Sequence, residues 1–433
     1  MLRILPFCFL VFAVSFIDRA NVSYAALAMG RDLALSGEAF GFAAGVFFLG
    51  YLLCEVPSNA ALRRFGARVW LARIQLTWGV VACASAFVQS VHQLYLARFL
   101  LGVAEAGLIP GLIAYFNYWF PMRQLARTGA LLGAAVPVAY MASGPLSAWI
   151  MEHVSVLGLA GWRSMLFTEG VPALITGAAT YFVLTERPRD ATWLSPDERR
   201  WLEAATSEAS EAPALASPST LQVLIDPKTL YLGLIYLLFQ LGNFGIGFWM
   251  PQLLKAGGKG LSLSQVGWLS AIPYAVATVG LYLWSASSDR SGERRLHAAA
   301  ALAVAGLGLA ACAFARGVAP SLVLLSICLT GFYAFKAPFN VLPRLFLSRE
   351  ASVIAFAVIN SVGNLGSFAG PYLFGVIRGH TEGPTPGLVV LAVVTLVAAA
   401  LTFLLGVGGG RCAAPGPTRR PSLNPQASGG LNA

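Results

Sequence analysis

Twelve apolar stretches, each twenty residues or longer, succeed one another along the chain with only short polar breaks between most of them. About twenty apolar residues suffice to cross the hydrocarbon core of a bilayer as a helix. Inside lipid, every backbone N–H and C=O must be satisfied within the segment, so runs of this kind cross as α-helices. The expected fold class is therefore an all-α membrane protein with twelve transmembrane helices. Composition agrees: of 433 residues, 57% are hydrophobic and 11% charged, where a soluble domain carries about 25% charge. A net charge of +10 raises the question of nucleic acid. The basic residues, however, stand in short clusters between apolar runs, as in cytoplasmic loops. No nucleic-acid partner is expected.

The spans run approximately over 4–28, 40–61, 69–90, 94–118, 126–151, 163–184, 229–254, 265–288, 297–316, 321–345, 352–378 and 386–408. With the N-terminus inside, twenty of the 29 lysines and arginines lie on the cytoplasmic side, six lie outside and three (Arg19, Arg98 and Lys336) lie in the membrane. That asymmetry orients the chain, and an even number of spans returns the C-terminus to the cytoplasm. The first run is too long for a signal peptide and has no clear small-residue cleavage site, so it counts as a span. Six cysteines, five of them within apolar runs, show neither metal-site nor disulfide spacing.

The spans divide into two sets of six. The expected domains are residues 1–185, a cytoplasmic linker over 186–227, a second set over 228–408 and a disordered tail over 409–433. Within the linker, Ser195-Pro196-Asp197-Glu198 reads as a helix start, with Ser195 capping and Glu198 closing a capping box. A short helix to about Thr206 is expected, then a flexible Ser/Ala/Pro/Glu-rich piece from Ser207 to Ser219.

Charge at mid-membrane depth is costly and marks ion or substrate paths. Asp18 and Arg19 are adjacent in the first span, and Glu105 lies near the middle of the fourth. Neighbouring helical residues point about 100° apart, so Asp18 and Arg19 do not simply pair with each other. Arg19 suits a substrate carboxylate, because its planar fork matches one in two bonds. Asp18 and Glu105 then carry protons: burial favours their neutral forms, Arg19 favours the charged ones, and an anion that screens Arg19 lets the acids take up protons. The plainer readings are an ion pair with a neighbouring helix for Asp18 and Arg19, and a packing role for Glu105. Arg98 could pair with Glu169 or take part in coupling. Glu55, near the inner end of the second span, suits gating or loop anchoring. Lys336 either snorkels to the cytoplasm or supplies a second cation, for a dicarboxylate or a polar ring substituent. Gln240 and Asn243, and Asn360 and Asn364, either complete a pocket or bond between helices. Gly245 and Gly247 follow the first pair and could loosen the seventh span, freeing carbonyls for a ligand.

The loops carry a resemblance. SASSDRSGERR (285–295) is similar to the D-R-x-G-R-R signature of the major facilitator superfamily, which brings in Asp289, Arg290, Arg294 and Arg295. The corresponding loop NAALRRFGAR (59–68) keeps Gly66 and Arg68 but has Arg63 where an acid usually stands. Arg98 to Gly102 resembles the R-x-x-x-G motif. FIDRANVSYAAL (16–27), GYLLCEVPSN (50–59), RFLLGVAEAG (98–107), ERPRDATWLSPDER (186–199), GFWMPQLLK (247–255) and INSVGNLGSFAGP (359–371) resemble the anion:cation symporter branch, whose permeases carry tartrate, phthalate and sugar acids. Over residues 3–408 the resemblance implies the major facilitator fold, two six-helix bundles around a central cavity working by alternating access. It also implies an essential acid–arginine pair at Asp18 and Arg19, proton coupling at Arg98, a substrate contact at Asn364, and gating by Glu55, Arg68, Asp289, Arg290 and Arg294. Lys336 departs from the family pattern.

The function expected is proton-coupled import of a small organic carboxylate, with sodium as the other candidate ion, by a monomer in a bacterial inner membrane. An exporter or exchanger of drugs or metabolites is the alternative, and a non-transporting sensor ranks below both. No catalytic triad and no phosphate-binding glycine loop stands in the sequence, so no enzyme, cofactor or metal is expected.

Overall fold

The computed structural model describes residues 3–159, 161–207, 220–258 and 260–406. In chain order the helices are α1 (Leu5–Asp32), α2 (Gly37–Phe65), α3 (Ala67–Ala84), α4 (Val91–Glu105), α5 (Leu108–Trp119), α6 (Met122–Gly133), α7 (Ala135–His153) and α8 (Gly161–Val183). They continue with α9 (Pro196–Ser207), α10 (Thr220–Leu224), α11 (Pro227–Gly257), α12 (Leu263–Ser291), α13 (Arg295–Cys312), α14 (Val318–Phe339), α15 (Pro343–Phe346), α16 (Arg349–His380) and α17 (Thr385–Leu404). Among the described residues, 11 stretches are long and apolar enough to cross a membrane, with α4 and α5 forming one of them. The 32-residue α16 packs beside α2 and α11. The protein is thus an all-α multi-pass membrane protein.

Local chemistry explains where the helices begin. Ser36, Ser90 and Ser348 each accept a backbone N–H in the first turn of α2, α4 and α16, satisfying one of the donors a helix start leaves open. Ser262 and Gln265 form a full capping box at α12. The box expected in the linker is present at α9: the Glu198 N–H donates to Ser195 Oγ at 3.2 Å and the Ser195 N–H to Glu198 Oε2 at 2.8 Å. The piece of linker over 208–219, the tail over 409–433, Lys259 and Cys412 lie outside the described residues.

Packing within each half joins mostly helices that are not neighbours in sequence. In the first, α1 lies against α7 and α8, α2 against α4, and α3 against α4 and α8. In the second, α11 lies against α16 and α17, α12 against α14, and α13 against α14 and α17. The halves meet through α2 with α16, α7 with α12, and α1 with α11. Small residues make the first two contacts close. A side chain at Gly41 would run into the Pro371 carbonyl, one at Gly375 into the Gly37 carbonyl, and one at Gly267 into the Gly144 carbonyl. These approaches involve the start of α2, the second half of α7, the start of α12 and the last third of α16, so they lie at one end of the molecule. There the Glu152 carboxylate also accepts from the Ser264 N–H at 3.0 Å and from the Ser264 hydroxyl. A glutamate of one half thereby sits in the first turn of α12 of the other.

Two helices differ from expectation. The fourth span is broken after Glu105: Ala106 leaves the helix and Gly107 adopts φ +89°, before α5 resumes at Leu108. The Ser58 hydroxyl donates to the Ala106 carbonyl at 2.6 Å, occupying an acceptor that the break frees, and itself accepts from Trp70 Nε1 at 2.9 Å. Conversely, the loosening expected at Gly245 and Gly247 is absent. α11 runs unbroken from Pro227 to Gly257, because Gly245 is used for packing: a side chain there would meet Leu391 and approach Gly370.

Candidate functional site

Three acids and two arginines are buried together where α1, α4, α7 and α8 converge. Arg19 donates from Nε and Nη2 to a single oxygen, Glu105 Oε1, at 2.9 and 2.7 Å. Its guanidinium is held among three rings, 4.9 Å from the Phe16 centroid, 5.1 Å from Phe47 and 5.2 Å from Tyr51. Asp18, pointing elsewhere on α1, accepts from Trp78 Nε1 at 2.8 Å and from Asn21 Nδ2 at 3.0 Å. The adjacent pair therefore serves two different partners, as their helical offset requires.

Arg98 is buried over the Phe47 ring at 5.3 Å. Its Nε and Nη2 have no hydrogen-bond partner among the described residues. A pairing with Glu169 is not formed among the described residues: Glu169 Oε1 accepts from the Ser147 hydroxyl at 2.7 Å, and its Oε2 has no partner there. Arg98 lies within Coulombic range of Asp18 and Glu105. Glu55 is half-buried and within Coulombic range of Arg19.

Beside this cluster, a small cavity of about 30 Å³ opens between the halves. Phe16, Ala20, Ser23, Tyr24, Val136 and Tyr140 line it from the first half, and Asn243, Phe244, Gly247, Phe248, Tyr274, Tyr333 and Lys336 are among those lining it from the second. Tyr140 and Tyr274 stack across the divide, with centroids 5.1 Å apart and an interplanar angle of 15°. Lys336 is the charged residue of the lining, and no carboxylate belongs to it. Its Nζ lies 5.8 Å from the Tyr333 ring and 5.9 Å from that of Phe239, within Coulombic range of Arg19.

Of the amides expected in a pocket, Asn243 lines the cavity. Gln240 and Asn364 are buried outside the lining, and Gln240 Oε1 and Asn364 Nδ2 have no partner among the described residues. Asn360 is exposed. Arg19 does not belong to the lining; Phe16, which does, covers it.

The loop residues are engaged locally. Arg68 Nε donates to the Tyr181 carbonyl at 2.7 Å. Glu186 accepts the Ala67 and Arg68 N–H groups at 2.7 and 2.9 Å. Glu186 thus brings to this loop, from the far end of the first half, an acid that Arg63 does not provide. Asp289 accepts from Arg294 Nη1 at 2.6 Å within its own loop, and Arg290 is exposed.

Sequence reasoning missed Trp78, Asn21, Ser147 and Tyr333. Trp78 carried a usable signal, an indole at mid-depth in a span rich in small residues. For Ser147 and Tyr333 no sequence signal sets them apart from other residues of their helices.

Long helices packed around a cavity between the two halves, lined largely by aromatic side chains and by one lysine, with buried charges beside it, define a multi-pass membrane carrier. The chain belongs to the Major Facilitator Superfamily, whose family description matches residues 8–371 and 232–427. Membership makes it a transporter rather than a catalyst. It is 43% identical over 403 residues to a protein of Agrobacterium vitis named as a tartrate transporter, covering 93% of this chain and 89% of that one. It is 34% identical over 404 residues to a quinolone resistance transporter of Acinetobacter baumannii, covering 93% of each. Its fold is similar, with TM-score 0.74 at 16% identity, to a bacterial homologue of the human lysosomal transporter Spinster in an inward-facing, occupied conformation, covering 92% of this chain and 95% of that one.

Proposed function

We propose that this chain imports a small organic carboxylate into a bacterial cell by proton symport, acting as a monomer in the inner membrane with both termini cytoplasmic. In this reading residues 1–185 and 228–408 form two six-helix bundles joined by the linker over 186–227. The end sealed by α2 with α16 and α7 with α12 faces outward, and the state described is open toward the cytoplasm.

The observation that carries the reading is the charge on the cavity. Its lining holds the Lys336 ammonium and no carboxylate, while the nearest arginine, Arg19, is tied to Glu105. An anion entering such a space meets one free cation and a second held in reserve. Protonating Glu105 removes the charge that binds Arg19, so the guanidinium becomes available to the anion. Once the anion leaves, Arg19 returns to Glu105 and the proton departs. Asp18 and Arg98, in Coulombic contact with each other, extend the proton path. Gln240, Asn243, Asn360 and Asn364 serve the substrate from the second half. Glu55, Arg68, Asp289, Arg290 and Arg294 act at the gates. The 43% identical relative's name places a carboxylate among the candidate substrates.

Uptake of labelled carboxylates into proteoliposomes under an imposed inward proton gradient tests this. Accumulation that follows the gradient is expected; uptake indifferent to it overturns proton coupling. Export of drugs has one observation in its favour, the similarity to the quinolone resistance transporter. A pump of apolar cations should bind them in this cavity, which Lys336 and Arg19 disfavour. Cation efflux with no carboxylate uptake would establish that alternative.

A further inference from the structure

We infer that Lys336 is the specificity-determining residue for a second carboxylate, so that the substrate is a compact dicarboxylate held between the two halves. This rests on the carboxylate-import reading above and adds the substrate's charge and the residue that reads it.

The first ground is electrostatic geometry. Arg19 on α1 and Lys336 on α14 lie in opposite halves and within Coulombic range of each other; Lys336 lines the cavity, and Arg19 stands behind Phe16, which lines it from the other half. Arg19 has Glu105 as its counter-charge. Lys336 forms no ion pair among the described residues, and its close neighbours are the Tyr333 and Phe239 rings. A cation at membrane depth without an anion is costly unless a partner arrives. Releasing Arg19 by protonating Glu105 leaves two uncompensated cations at a cavity whose lining holds no carboxylate, Lys336 in its wall and Arg19 behind Phe16. A monocarboxylate answers one of them; a dianion answers both.

The second ground is independent of charge. In the same half as Lys336, α11 and α16 bury two amide atoms with no partner among the described residues, Gln240 Oε1 and Asn364 Nδ2. Unpaired buried polar atoms are uncommon and call for an explanation. The two helices meet there closely: a Cβ at Gly363 would lie 3.4 Å from Gln240 Cγ. Polar capacity left open in the second half fits a polar ligand group arriving on that side, distinct from the one bound by Arg19. The cavity walls supply Tyr24, Tyr140, Tyr274 and Tyr333, whose phenols can donate to carboxylate or hydroxyl oxygens.

The third ground is position. Lys336 stands three residues before the end of α14 and is only partly exposed. A snorkelling lysine would extend toward water at the helix end. This one contributes instead to the wall of the cavity.

The test uses labelled tartrate and its monomethyl ester, which keeps the skeleton and hydroxyls but blocks one carboxylate, with the full chain in proteoliposomes. A charge-assisted contact of this type is expected to favour the diacid in kcat/KM by about 30-fold. Lys336→Gln should raise KM for the diacid by a similar factor and that for the monoester by several-fold less. Lys336→Arg should restore most of the preference, which a purely structural lysine would not predict. Equal transport of diacid and monoester by the unaltered chain, or an equal loss of both in Lys336→Gln, overturns the inference while leaving carboxylate import standing. Transport of monocarboxylates such as benzoate or glycerate with no diacid uptake does the same. Should the unaltered chain carry no carboxylate of either kind, the import reading falls and this inference falls with it.

Discussion

Glu105 receives both Arg19 nitrogens on one oxygen and leaves the other, Oε2, without a partner. A carboxylate clamped on both oxygens would hold the guanidinium in a fork; this one grips it from one side only. The proposed coupling depends on that pair opening when Glu105 gains a proton. Glu105→Gln mimics the protonated state permanently. Substrate–substrate counterflow should persist in this variant while accumulation driven by a proton gradient falls by at least about tenfold, the ratio that 1.4 kcal/mol of coupling represents. Gradient-driven accumulation at the unaltered level would remove Glu105 from the coupling scheme.

The break that sets Glu105 at a helix end depends on Gly107. Its φ of +89° is disfavoured for residues with a side chain, and a Cβ there would run into the Ser58 hydroxyl. Gly292, with φ +69° and open space around its Cβ position, isolates the backbone term. Gly292→Ala should lower stability by about 1 kcal/mol. Gly107→Ala should cost roughly 1–3 kcal/mol more, since it also displaces the hydroxyl that satisfies the Ala106 carbonyl. Thermal unfolding of the two variants in detergent gives the comparison. Equal shifts in Tm would mean that the Ser58 contact yields freely.

The overall fold was legible because its determinants are one-dimensional. Lipid forces helices, and the length and apolarity of each run mark the spans without reference to any neighbour. The linker helix was equally readable, since Ser195 and Glu198 act within one turn. The site was legible only in composition. That Asp18, Arg19 and Glu105 belong together follows from depth, but which group pairs with which depends on helix rotation, and no residue in α1 encodes the position of Trp78. The break after Glu105 shows the same limit. AEAG carries a glycine, as do many spans here, and only the nearness of Ser58 and Trp70 makes Gly107 the one that turns. Gly245 and Gly247 looked equally able to interrupt a helix, yet contact with Leu391 and Gly370 holds Gly245 in a regular one.

The linker helix offers a pH-dependent prediction. The Ser195 backbone N–H, and then its hydroxyl, hold the Glu198 carboxyl below the usual carboxylate range. A group lowered in this way stabilises the helix above its unfolded value, about 4.3 for glutamate, and that contribution disappears as pH falls through the lower folded value. Hydrogen exchange across 196–207, corrected for intrinsic rates, should be slow at neutral pH and accelerate several-fold below about pH 4. Ser195→Ala should produce the faster exchange already at neutral pH. A profile flat from neutral to acid pH would show that the box does not hold α9.

At the sealed end, Glu152 of α7 binds the Ser264 N–H and hydroxyl in the first turn of α12. A carboxylate there is favoured both by the hydrogen bonds and by the positive end of the helix dipole. This contact bridges the halves, and the Gly144–Gly267 approach lies deeper along the same pair of helices. Opening the seal must break the carboxylate contact, whereas the inner ends of the helices can move without touching it. In the orientation proposed above, Glu152 therefore stabilises the closed-outside state selectively. Because the side chain is exposed, the contribution is modest, about 1 kcal/mol, or a five- to tenfold change in the ratio of states. Glu152→Ala should raise the reactivity of a cysteine placed at Ser23, on the cavity wall, toward a membrane-impermeant thiol reagent applied from outside. Gly267→Leu, which bars the close approach itself, should raise it further. If Glu152→Ala leaves labelling unchanged while Gly267→Leu increases it, the seal rests on helix packing and the carboxylate is dispensable.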